Sequence, residues 1–75
     1  EARETMTTID TLKKSDAIKR TVARNISAGA WLKVATYEAT AWLDKSEKAR
    51  RAEVIAYVES EYRAAGLDSR GRKQG

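Results

Sequence analysis

The chain of 75 residues has no cysteine, no histidine, no proline and no phenylalanine. Without cysteine there is no disulfide to staple a small domain and no thiolate zinc site. Without histidine the commonest general base, the commonest metal ligand and the usual near-neutral pH switch are missing. The lack of thiols suits a reducing compartment, so a cytoplasmic location is expected. No apolar run approaches the ~18 residues that a membrane-spanning helix needs. The opening, EARETMTTID, lacks the basic stretch and apolar core of a secretory signal, and none is expected.

Phosphate loops of the GxxxxGK[ST] or GxGxxG type are also missing, as is a DxDxDG-like calcium loop. Carboxylate pairs do occur. Glu59 and Glu61 stand two apart and, on a helix, point to different sides. Asp44 and Glu47 are better explained by capping. No enzyme activity, metal or cofactor is expected from this residue set.

What is present favours helices. Four glycines, at positions 29, 66, 71 and 75, leave long uninterrupted stretches. Alanine is abundant and a strong helix former, and no alternating apolar and polar run reads as a strand. The expected fold is an all-α three-helix bundle with helices at about 15–27, 30–43 and 46–65. A short leading helical turn is anchored by Ile9 and Leu12, with Thr7 or Thr8 as its cap, and residues 1–7 are expected to fray. On a helical wheel Ile9 and Leu12 lie roughly 110° from the stripe of Ile18, Val22 and Ile26, which predicts a break near Lys14. Ser15 then serves as N-cap.

The sharpest local signals lie at the helix ends. Gly29 suits a left-handed cap. Asp44 with Glu47 three residues on resembles a capping box, with Ser46 as the alternative cap. Gly66 fits the C′ position, which sets Tyr62 and Leu67 as the touching pair of a Schellman ending. Val54, Ile55, Val58, Tyr62 and Ala65 make the wide apolar face of that last helix, flanked by a small-residue strip of Ala49, Ala52 and Ala56. Residues 1–67 read as one helical domain and 68–75 as a disordered basic tail.

The stretch 30–43, AWLKVATYEATAWL, holds both tryptophans. On a continuous helix Trp31, Leu32, Ala35, Ala39, Trp42 and Leu43 share one broad face, while Val34, Tyr37 and Ala41 form a second apolar arc. The expectation is a central helix with both indoles in the core.

Charge is uneven. Fifteen basic residues against eleven acidic ones leave a net +4. Residues 13–33 hold six cations against Asp16 alone, and residues 62–75 hold four against Asp68 alone. Two basic zones around a mildly acidic middle point to an anionic partner. The leading expectation is therefore a small nucleic-acid-binding protein, dimeric, with DNA ahead of RNA as the partner. Lys13, Lys14, Lys19, Arg20 and Arg24 supply the main phosphate contacts and Lys48, Arg50 and Arg51 the next set, with the tail adding affinity.

A helix-turn-helix with its turn at 27–29 fits poorly, because the helix that should meet base edges is the apolar one. A turn at 44–46 presents Lys45, Lys48, Arg50 and Arg51 but lacks the turn glycine. Size, basicity and helical character suit the small regulators of phages and plasmids, and no motif ties the chain to one family. The alternative is a helical protein-interaction module. So short a chain cannot easily bury two tryptophans, three tyrosines and the second apolar arc, and the surplus would form a contact surface with Tyr37 and Tyr57 as its anchors. Self-association would cover the same surface. A membrane-surface role is disfavoured, since the 15–27 stripe offers only three large apolar residues.

Overall fold

The computed structural model describes residues 9–74. Three helices follow in order: α1 (Ser15–Ala28), α2 (Leu32–Thr40) and α3 (Arg51–Ala64). A 3-10 turn, Ile9–Thr11, precedes α1, and a longer 3-10 segment, Lys45–Arg50, leads into α3. The fold is the expected all-α three-helix bundle. The only β-type pairing among the described residues is an isolated bridge between Leu67 and Lys73. The expectations for residues 1–7 and for a Thr7 or Thr8 cap lie outside the described residues.

The leading turn and α1 are separate because their apolar residues need different directions. Ile9 and Leu12 are buried, and the chain turns through 12–14 before α1 begins. Ser15 does not cap α1. Lys14 holds the cap position, without a side-chain bond, and its carbonyl accepts the Ile18 N–H at 2.9 Å. α1 ends as its glycine predicts: Gly29 has φ +71°, and the N–H groups of Gly29 and Ala30 close on the carbonyls of Ile26 and Asn25. α3 ends the same way. Gly66 donates to Arg63 and Leu67 to Tyr62, the bond pair of a Schellman motif. The capping box of Asp44 and Glu47 is present, but it opens the 3-10 segment rather than an α-helix starting at 46.

α2 lies between α1 and α3, which touch each other sparsely. Its inner line is Ala35 and Ala39, both fully buried. Small side chains there let both neighbours approach closely. Ile18 and Val22 of α1, and Val54, Val58 and Tyr62 of α3, fill the remaining core with Ile9 and Leu12. Each large side chain fully removed from water stabilises the fold by about 1.5–3 kcal/mol. Two buried polar residues are satisfied within this frame. The Asn25 amide donates to the Thr21 carbonyl at 2.8 Å and to Glu38 Oε1 at 2.9 Å, joining α1 to α2. The Glu47 carboxylate accepts the Lys13 N–H at 2.9 Å and the Asp44 N–H at 3.4 Å, tying the leading turn to the start of the last helical segment.

Two expectations are corrected. First, α2 is shorter than 30–43, and both indoles lie beyond its ends. Trp31 is extended (φ −65°, ψ 149°), and the helix stops at Thr40, whose hydroxyl bonds back to the Thr36 carbonyl. A wheel drawn over 30–43 therefore misplaces both rings, and Trp31 and Trp42 are 50% and 40% exposed instead of core. The strip of Ala49, Ala52 and Ala56 is exposed too. Second, the basic end is not a disordered tail. Asp68 Oδ1 accepts the N–H groups of Arg70 and Arg72, and the Asp68 N–H meets the Arg72 carbonyl. The resulting loop is tied back by Gln74 N–H to the Gly66 carbonyl and docked on the body by Leu32 N–H to the Ser69 carbonyl at 2.7 Å.

Candidate nucleic-acid interface

The outer side of α2 carries an exposed apolar face with Tyr37 at its centre. Val34, Tyr37 and Ala41 share one helix face and all are exposed, Tyr37 to 75%. Tyr37 borders two depressions. One lies towards α3, has a volume of about 610 Å³ and is lined by Trp31, Leu32, Tyr37, Arg51 and Ile55 among others. The other lies towards α1, has a volume of about 410 Å³ and is lined by Thr21, Arg24, Tyr37, Glu38, Ala41 and Trp42. Trp31, Tyr37 and Trp42 thus cross α2 from the α3 side to the α1 side.

Each indole is fixed by its own contacts. The Trp42 Nε1–H donates to the Thr21 hydroxyl at 2.8 Å, and the Lys14 ammonium sits 5.7 Å from the centre of its ring. The Arg70 guanidinium sits 5.5 Å from the centre of the Trp31 ring, so the docked end loop delivers a cation to the far end of the row. Both distances are within the range of cation–π attraction.

The expected phosphate-binding residues separate into groups. Arg20 and Arg24 are exposed, lie one turn apart on α1 and, among the described residues, have no carboxylate within ion-pair distance. Arg24 reaches the depression beside Trp42, and Lys14 covers that indole. Lys19 points elsewhere, roughly 100° around the helix from Arg20. Its ammonium pairs with Asp10, and that hydrogen-bonded carboxylate raises the Lys19 pKa above its ordinary value. Lys13 lies 3.9 Å from Asp44. In the second set, Lys48 is exposed, Arg50 is held by Glu53 at 2.7 Å, and Arg51 lines the groove beside Trp31. The five-cation zone of residues 13–24 is therefore not one patch: Lys14, Arg20 and Arg24 stay available and Lys13 and Lys19 face carboxylates.

Of the two expected aromatic anchors, Tyr37 stands free and Tyr57 does not. Tyr57 is partly buried against the core. Burial, with Glu61 and Asp10 nearby, pushes its hydroxyl pKa up to about 12. Trp31, Trp42 and Lys33, absent from the expected site, belong to this surface. The caps at Gly29 and Asp44 bracket the whole of 30–43, so no local signal marked the indoles as lying beyond the ends of the helix.

No group of three or more acidic, cysteine or histidine side chains among the described residues is placed to hold a metal ion. No helix among them is long and apolar enough to cross a membrane. Comparison with known protein families, curated proteins and solved structures finds no match.

Proposed function

We propose that the chain is a small non-enzymatic protein that binds nucleic acid, acting as a regulator and working as a dimer. The observation that carries this reading is the set of cations along one side of α1, Arg20 and Arg24, that have no carboxylate partner among the described residues, continued by Lys14 over Trp42. Guanidinium groups so placed suit phosphate oxygens, which position a protein on a nucleic acid whatever its sequence. The docked loop adds Arg70, Arg72 and Lys73 on the same chain. The test is a titration of labelled duplex and single-stranded DNA across salt concentrations. Binding should weaken with salt, and Arg20→Ala with Arg24→Ala should lower the slope of log affinity against log salt by about 2 on duplex. No binding at low salt ends this reading.

A second reading rests on the exposure of Tyr37 beside Val34 and Trp31, which suits a protein partner or a second copy. Sedimentation at two protein concentrations, repeated with Tyr37→Ala, tests the dimer and shows whether this row holds it together.

A further inference from the structure

We infer that the aromatic row across α2 is a stacking platform for a single-stranded nucleic acid, with bases on Trp31, Tyr37 and Trp42. The inference rests on the nucleic-acid reading above and names its substrate class. Single strands are gripped without sequence preference where aromatic faces alternate with cations that follow the backbone. Both elements are present here. Tyr37 borders the Trp31 groove on one side and the Trp42 depression on the other, so it links the two indoles across α2. A duplex would not offer such a track its base faces, which are turned inward.

Charge complementarity selects the occupant. Five cations border the track: Lys14 and Arg70 over the two indoles, Arg24 in one depression, and Lys33 and Arg51 in the other. Two carboxylates share it, Glu38 and Glu59, and Glu38 is already held by the Asn25 amide. An apolar helix of a protein partner would leave those cations without anions. A phosphodiester chain supplies them at every step. The Trp42 N–H is engaged by Thr21, so that edge of the ring does not donate to a strand.

The probe is a labelled oligothymidylate of about twelve nucleotides, followed by fluorescence anisotropy and by tryptophan emission. It is compared with the matching oligouridylate and with a blunt duplex of equal length. The expected result is that single strands bind at least tenfold more tightly than duplex and quench the tryptophans. Tyr37→Ala, at a position 75% exposed and so without cost to the core, should lose about tenfold on single strands, the size of one base stack, and nothing on duplex. Equal or tighter binding of duplex, with Tyr37→Ala silent, overturns the stacking platform and leaves the salt-dependent cation reading standing. No binding to any probe at low salt removes both. Conversion of a dimer to a monomer by Tyr37→Ala assigns the row to self-association and also overturns the platform.

Discussion

Gly71 lies directly on Ala30: a Cβ built on Gly71 would stand 2.5 Å from the Ala30 carbonyl oxygen and 2.7 Å from that of Gly29. The same Ala30 oxygen accepts the Tyr62 hydroxyl at 2.8 Å. The corner between α1 and α2 is thus held by the end of α3 on one hand and by the end loop on the other. This contact places Arg70 over Trp31, so loop docking and the binding surface are coupled.

Gly71→Ala is expected to lift the loop. Its φ of +74° is also unfavourable for alanine, by about 1–2 kcal/mol. Because undocking relieves the clash, the loss should stay near that size rather than unfold the helices. Hydrogen exchange checks it: the Leu32 amide, which donates to Ser69, should lose protection while core amides of α3 keep theirs.

Glu47→Ala should destabilise the fold by about 1–3 kcal/mol, since two backbone N–H groups lose their acceptor, one of them across 34 residues of chain. Denaturant unfolding measures the loss. The protection of the Lys13 amide should fall further than that of α1 as a whole, because Lys13 is joined to Glu47 and α1 is not.

Thr21→Val is expected to release the Trp42 indole. The substitution keeps the shape of the buried side chain and removes the acceptor of the Nε1–H bond at 2.8 Å. A stability loss of about 0.5–1.5 kcal/mol is expected. Collisional quenching of tryptophan fluorescence should rise, and the change should vanish in a Trp42→Phe background.

Stability should fall at both ends of the pH scale, through different groups. Backbone N–H bonds, that of Arg72 foremost, hold the Asp68 carboxyl below its ordinary value of 3.8. The Ser46 hydroxyl does the same for Asp44. A carboxylate depressed on folding contributes stability above its unfolded value, and the contribution is lost as pH falls through the folded one. Loop docking should therefore weaken progressively as pH falls below 3.8, and NMR of the carboxyl carbons should give midpoints under that value for both residues. Tyr57 works in the opposite sense. Its hydroxyl pKa is raised from 10.0 to about 12, so its contribution is intact below pH 10 and lost as pH rises towards 12. Tyr57→Phe should flatten the alkaline part of the stability profile.

The candidate site was legible only in part. Tyr37 followed from an apolar arc too wide for one helix to bury, and Arg20 and Arg24 from a stripe of only three large apolar residues on α1. Lys19 looked equivalent to them because sequence proximity does not say which charge lies across the fold. Its pairing with Asp10 depends on the turn before α1 folding back beside it. Tyr57 resembled Tyr37 in sequence, yet it packs on the core because α3 is covered where α2 is open.

The residues alone determined the helices, the positions of their glycine and aspartate ends, and the inward faces of α1 and α3. Those features arise from interactions within a turn or two: the 3.6-residue period, left-handed glycine caps, and a carboxylate reaching three residues back. Tertiary structure alone decided the fate of the two tryptophans and of the basic end. The indoles sit just outside α2, where helical register no longer dictates direction, and the close packing of Ala35 and Ala39 leaves no interior room beside them. The end loop, shaped locally by Asp68, is docked on the body by the Leu32 bond to Ser69 and by Gly71 on Ala30, contacts about 40 residues apart that no local pattern encodes.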